Sequence, residues 1–514
     1  MTVYFINQGI GASNSGIEHA EFDRARIFRR NNVPFKLVTS EFNRKLHNIL
    51  PMFALSDKES MNMFDYFQKA LSIPSQPLTL HDMDFGFDMY VEQSEDKPSL
   101  YNVFLGENQK HFMGRIILDT QNAVEQAEMF DLVGNLYKVI QYDSRGFQSL
   151  VQYYSPKGQV ELEIWYDVDG KPVIEKTYEI NRRGEMTETW KVGQLLFRSL
   201  QDLRGYFYNL LNDDGLNMFI IDRANVSEYQ LLSLDKPAYI VFMLHNHQSS
   251  DPQNPNAEVL NNNYEWSMAN IDAWDCIVSA TPEQTRDIKA RWGEHLNAHT
   301  IPVGVIPDYI LQTPPKPMNE RKPYSMLVTA RVAVEKGIDK MIQALAIAQE
   351  TIPELTLDVF GYVDHGDNDI AQTRIDESLK LLSNPNSVVL HEHSKDVHKE
   401  HDTHQLYLIF SYMEGFNLAL MEAQSAGMVG LTNDVSYGPN HIIKDGENGY
   451  IVGYDDVQAY ADKMVELFQN PDKLQAMSDK AFELSRRYSE SNVWDKWEEV
   501  FDQYDEWKES KKNT

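Results

Sequence analysis

A chain of 514 residues with a formal charge of −30 and a single cysteine excludes several classes at once. It is too long for one hydrophobic core, too acidic overall to favour nucleic acid or an anionic membrane surface, and unable to build an internal disulfide framework. With 42% hydrophobic and 24% charged residues it has the composition of a folded globular protein, and no apolar run reaches the ~18–20 residues of a membrane span.

The start, "MTVYFINQGIG", lacks the basic n-region and small-residue cleavage site of a secretory signal. A cytoplasmic location is therefore expected, with at most peripheral membrane association. "TVYFINQ" reads as a first strand, "GIGASNSG" as a small-residue loop and "IEHAEFDRARIFRRNN" as a helix, followed by a strand at "PFKLVTS". Strand, glycine loop, helix and strand open an α/β sheet. From about Leu78 to Leu195 the pattern changes. Apolar and polar residues alternate, and the turns "SPKG", "DVDG" and "NRRG" recur at a spacing of roughly a dozen residues, which predicts an antiparallel meander inserted into the N-terminal half.

The α/β pattern resumes at "DDGLNMFIIDR" and "KPAYIVFMLHNH", with a helix expected over 259–271, a strand at "DCIVSAT" and a helix at "PEQTRDIKARW". Cys276, inside the apolar "WDCIVSAT", reads as a buried structural thiol. The proline-rich "TIPVGVIPDYILQTPPKPMNERKP" reads as a linker. A second series follows: strands at "YSMLVTAR", "LTLDVFGY", "SVVLHEHS", "LYLIFSYMEG" and "MVGLTNDV", with helices over 336–350, 370–383 and 418–426. The end, "ESNVWDKWEEVFDQYDEWKESKKNT", predicts an amphipathic helix with a charged tail. The outcome is two doubly wound Rossmann-like halves facing a cleft, 1–77 with 196–305 and 306–488, plus the β-rich insertion 78–195 and the helix 489–514. Ligands of such sheets sit at the C-terminal strand ends.

Two stretches at such strand ends carry chemistry. "TARVAVEKG" places Arg331 and Lys336 five residues apart at a strand-to-helix junction. A planar fork and a point charge there suit a pyrophosphate, although alone the motif is weak and the pair reads more readily as surface cations matched to Glu335 or Asp339. "FSYMEGFNLALME" (410–422) adds two carboxylates. Gly415 permits close backbone approach, and a helix from Leu418 points free N–H groups and a positive dipole end at the loop. Glu414 in that loop suits sugar hydroxyls, and Glu422, one turn into the helix, suits a ribose diol. In a hydrolase two carboxylates would flank the scissile bond; beside a phosphate-binding helix start they suit a nucleotide sugar. "LHNH" ends another strand with His245 and His247, on spacing alone weak evidence for a metal site, and neither half supplies an acidic D-x-D partner.

Strand, "S-x-x-E-G-F", a second Glu eight residues after the first, and a preceding "R-x-x-x-x-K" together resemble the retaining glycosyltransferases of the GT-B fold, glycosyltransferase family 4. The resemblance implies that Arg331 and Lys336 hold a diphosphate, Glu414 contacts the donor sugar and Glu422 binds ribose. It also implies that Gly415, Phe416, Asn417 and Leu418 line the donor, that His391 and His393 of "LHEHSKD", a stretch that by itself reads equally as a solvated polar loop, approach the nucleobase, and that no metal and no other cofactor is needed. The family usually has Gly where this chain has Asn417; Asn is a good N-cap, so the local fold is expected to survive.

The opening "GIGASNSGIEHAEFDRARIFRR", the insertion and "LHNH" are similar to the GtfA-type transferases that start O-glycosylation of serine-rich repeat adhesins. That resemblance implies a UDP-sugar donor carrying GlcNAc or Glc and a serine-rich protein acceptor. It places the Gly16 N–H at the diphosphate and His245 at the reaction centre, with His247 too close in sequence to separate. It gives the N-terminal half to the acceptor side, 306–488 to the nucleotide sugar, and the insertion to acceptor binding or assembly. Exposed sheet edges there suit a second copy or a GtfB-like subunit. The alternatives are a polyol-phosphate or teichoic-acid transferase of the same fold, and a catalytically inactive partner subunit. The second would have a broken Arg/Lys/Glu/Glu set, and all four residues are present.

Overall fold

The computed structural model describes residues 2–106, 111–364, 369–391 and 397–512. By its internal contacts the chain forms two compact units, Met1–Asn14 with Asn32–Ile240 and Ser15–Asn31 with Val241–Thr514.

In the first unit the strands Met218–Ile221, Val3–Ile6, Phe35–Thr39 and Ser60–Asn62 lie side by side in that order, all parallel. The insertion is a ten-stranded antiparallel sheet running from Met89–Gln93 at one edge to Leu195–Phe197 at the other. Consecutive strands pair throughout, as its recurrent turns predict. Val103, Ile116, Ala127, Ile140 and Val151 bury one face, covered in part by Leu78, Leu80, Phe85 and Phe87. Specific polar contacts anchor the sheet to the parallel strands' loops. Arg145 donates to Asp143 at 2.7 Å and Asp65 at 3.0 Å, and the Gln68 amide donates to the carbonyls of Ser149 at 2.9 Å and Tyr166 at 2.7 Å. Arg44 pairs with Glu125.

In the second unit Val241–Leu244, the end of the strand Tyr239–Leu244, pairs in parallel with Cys276–Ser279, and that strand with Ala298–Thr300. Every residue of Tyr239–Leu244 is buried, as its unbroken apolar run requires, and Cys276 is fully buried. The helix expected over 259–271 is much shorter: only Glu265–Ala269 is α-helical, followed by a 3₁₀ turn at Ile271–Ala273. The Asn-rich approach explains this, because the Asn261 side chain accepts from the Asn263 amide and competes with helical bonding.

The six-stranded sheet of this unit has the order Val388–His391, Thr356–Phe360, Ser325–Thr329, Leu406–Ile409, Val429–Asn433, Gly449–Val452, all parallel. In chain order this is 3-2-1-4-5-6, the Rossmann arrangement. Met326, Val328, Leu357, Leu408 and Leu431 fill its core against Ile342 and Leu345 of the Ile338–Gln349 helix. The C-terminal helix Glu490–Lys512 packs on the Gly16–Arg30 helix. Phe28 meets Trp497 edge-on at 5.3 Å, while Arg26 donates to Glu490 at 3.1 Å and Arg30 to Asp308 at 2.7 Å. Among the described residues no helix is long and apolar enough to cross a membrane.

Candidate active site

A doubly wound sheet opens where its strand order reverses, because the loops leaving the two flanking strands run to opposite faces. Here the reversal falls between Ser325–Thr329 and Leu406–Ile409. Arg331 and Lys336 follow the first of these strands; Ser411, Glu414 and the Leu418–Ser425 helix follow the second. The two motifs singled out in the sequence therefore converge on one place.

Two glycines make the convergence tight. Gly337 has φ +60°, and a Cβ there would lie 2.2 Å from the Phe410 carbonyl oxygen, so the Lys336 turn rests directly on the strand exit. At Gly415 a Cβ would lie 2.0 Å from the His245 carbonyl oxygen and 2.8 Å from Asn246 Cα. The "LHNH" strand end is thus pressed backbone to backbone onto the "EGF" loop.

Within this frame Lys336 Nζ donates to Glu414 Oε1 at 2.5 Å, and the Ser411 hydroxyl donates to the same oxygen at 2.8 Å. Glu414 is 8% exposed. Its backbone carbonyl accepts from the Tyr437 amide at 2.8 Å. Arg331 is more exposed and donates to Glu335 and Asp364. Asn417 has φ 76°, a left-handed conformation that Gly adopts freely and Asn tolerates better than most residues. Its side chain caps the Leu418–Ser425 helix by accepting from the Leu420 amide at 2.9 Å. That geometry accounts for Asn standing where the resembling family has Gly.

Gly16 is the first residue of the Gly16–Arg30 helix, whose Ser15 N-cap forms a capping box with Glu18. A Cβ on Gly16 would lie 3.8 Å from Leu418 Cδ1, so two helix N-termini meet at the site. The Phe416 ring is buried edge-on against Tyr488 at 5.4 Å. His245 and His247, inseparable by spacing, are separated by burial. His247 is fully buried, stacked on Tyr437 at 4.8 Å, and its Nδ1 accepts from the Ser249 amide at 3.0 Å. Burial pushes its ring below the ordinary imidazole range. His245 is only half-buried.

His391 ends the edge strand of the sheet, stacks on Phe360 at 4.2 Å and donates to Asp358 at 2.7 Å. His393 lies outside the described residues. Tyr437 was not singled out in the sequence. Besides its contacts to Glu414 and His247, its hydroxyl accepts from Gln248 at 2.8 Å and donates to Asp287 at 3.1 Å; a lone Tyr in a loop offers no spacing signal. Among the described residues no group of three or more His, Cys, Asp or Glu side chains is placed to hold a metal ion.

Comparison with known proteins agrees with this geometry. The family model described as "Glycosyl transferases group 1" matches residues 312–484, which contain Arg331, Lys336, Glu414 and Glu422. The chain is a glycosyltransferase of the GT-B fold. Over nearly its whole length it resembles the GtfA type. It is 26% identical over 510 residues to the UDP-N-acetylglucosamine–peptide N-acetylglucosaminyltransferase GtfA subunit of Streptococcus gordonii, covering 97% of this chain and 98% of that protein. The pneumococcal O-GlcNAc transferase GtfA, solved with UDP and GlcNAc, superposes with a TM-score of 0.82 at 25% identity, covering 98% of this chain and 99% of that one. A GtfA/B complex gives 0.81 at 25% identity, covering 98% and 99%.

Glu422 faces the Gly16–Arg30 helix electrostatically. Burial pushes its carboxyl up to about 7, the Asp23 charge adds to the shift and Arg26 opposes it. A carboxyl raised in the folded state contributes stability below its unfolded value of ~4.3 and loses it as pH rises through the folded value. Glu422→Gln is therefore expected to melt above the wild type at pH 8 and to lose that advantage towards pH 5. Thermal melts at the two pH values check this; an equal or lower melting point at pH 8 contradicts it.

Proposed function

We propose that this protein is a retaining transferase that moves GlcNAc or Glc from a UDP-sugar to Ser or Thr hydroxyls of a serine-rich protein. The observation that carries the reading is the Lys336–Glu414 pair at the strand-order reversal, a cation and a carboxylate held together where a doubly wound sheet binds its ligand. The relatives' substrates support the donor and acceptor: peptide and UDP-N-acetylglucosamine for the S. gordonii subunit, UDP and GlcNAc for the pneumococcal enzyme.

In this reading Arg331 and Lys336 take the two phosphates and stabilise the charge that grows on the leaving diphosphate. The N-termini of the Gly16–Arg30 and Leu418–Ser425 helices add N–H donors, Gly16 among them. Glu414 holds the sugar and Glu422 the ribose. His391 sits two strands from the reversal, roughly 10 Å away at ordinary strand spacing, which suits the nucleobase end of the donor; His393 follows it. His245, at the strand end pressed on Gly415, faces the reaction centre. The donor diphosphate has protein cations in place of a divalent ion, so the reaction needs no metal. The insertion serves the acceptor or a GtfB-like subunit, by analogy with the GtfA/B complex, and its edge strands offer main-chain bonds to an extended peptide or a partner sheet. A cytoplasmic enzyme acting before export of its acceptor fits this assignment.

Two tests follow from the roles. Lys336→Ala is expected to lower turnover by ~100-fold or more, the usual cost of removing a preorganised donor at a developing anion; near-wild-type kcat in a folded variant contradicts the role. Initial rates are expected to persist in excess EDTA. A loss of activity restored by Mg²⁺ or Mn²⁺ would overturn the metal-free reading.

A further inference from the structure

Glu414 Oε1 carries two donors, the Lys336 ammonium at 2.5 Å and the Ser411 hydroxyl at 2.8 Å. Among the described residues its other oxygen takes no hydrogen bond. The two donors differ in kind. The Lys336 side chain is 24% exposed and sits on a turn, so its charge can turn to another anion nearby. Ser411 is 1% exposed. Its carbonyl accepts from the Asn433 amide at 3.1 Å, and Asn433 is itself fully buried at the end of the neighbouring strand. On either side the loop backbone is pinned, by the Tyr412 amide on the Glu335 carbonyl at 2.9 Å and the Tyr437 amide on the Glu414 carbonyl at 2.8 Å. Backbone and hydroxyl are fixed, and the carboxylate hangs from them.

We infer that Ser411 is a positioning residue for the transfer, resting on the donor reading above: its hydroxyl holds Glu414 when the diphosphate draws Lys336 away. Under that reading Lys336 has two anions to serve and one charge. A carboxylate that lost its only other donor as the substrate bound would rotate freely at the moment it must hold the sugar. Ser411 keeps Oε1 anchored to the sheet and leaves the second oxygen for a sugar hydroxyl. Asn433 supports the arrangement from beneath by fixing the Ser411 carbonyl.

Ser411→Ala, Ser411→Thr, Lys336→Ala and the double variant Ser411→Ala/Lys336→Ala are compared in the full chain by UDP-sugar hydrolysis, with melting temperature as the fold control. Loss of a hydrogen bond to a charged group is expected to lower kcat by about 10- to 100-fold in Ser411→Ala, with a small change in donor KM and an unshifted melting temperature. Ser411→Thr retains the hydroxyl and is expected to recover most of the loss. With donor bound, Lys336 serves the diphosphate and Ser411 the carboxylate, so the double variant is expected to lose activity by about the product of the single effects. Wild-type kcat in Ser411→Ala, or a double variant no slower than Lys336→Ala alone, would overturn the inference while leaving the donor reading standing. Failure of the wild type itself to turn over any UDP-sugar would overturn both.

Discussion

The site depends on the reversal of strand order between Ser325–Thr329 and Leu406–Ile409. On one side of that reversal the chain turns into Arg331 and Lys336, on the other into Ser411 and Glu414. The sheet brings both loops to the same place, where the Lys336–Glu414 pair and the Tyr412 amide on the Glu335 carbonyl join them. Gly337 lets the first loop rest on the Phe410 carbonyl, and Gly415 lets the second rest on the His245 carbonyl. A side chain at either position would clash with that carbonyl and force its loop to shift.

The charge pattern follows from the same constraint. A chain with a formal charge of −30 must concentrate its positive potential if it is to hold an anionic donor. Two helix N-termini and two cations lie beside the strand-order reversal, and each cation already faces a carboxylate: Arg331 with Glu335 and Asp364, Lys336 with Glu414. Such pairs keep the cations oriented and prevent a local excess of like charge. Further out, Arg26 and Arg30 face Glu490 of the C-terminal helix, so the element carrying Gly16 is held by charge as well as by the Phe28–Trp497 contact.

Much of this was legible in the sequence, for reasons that differ by residue. Arg331, Lys336, Glu414 and Glu422 stand out because charged residues beside a strand end and a glycine fall where an open α/β sheet takes its ligand. The antiparallel insertion announced itself through repeated turns, and the Tyr239–Leu244 strand through its apolar run. Other features depend on partners distant in sequence and left no local trace. Ser411 lay inside the motif, but its value comes from Glu414 three residues on and Asn433 in another strand. His247 could not be told from His245 until Tyr437 was seen stacked on it. The Phe416 ring looked like part of the donor loop, yet it packs on Tyr488. The helix expected near 259–271 shortened because Asn side chains bond locally, an effect that apolar periodicity does not register.

On the proposed function, a donor sugar held across Lys336 and Glu414 passes to a protein hydroxyl. The most direct test is to incubate the purified protein with a serine-rich peptide and either UDP-GlcNAc or UDP-glucose, and to read the peptide by intact mass. A mass increase of one or more hexose or N-acetylhexosamine units is expected with one of the two donors, absent when Glu414 is replaced by Gln. An unmodified peptide with both donors, from a folded protein supplied with its partner subunit, would contradict it.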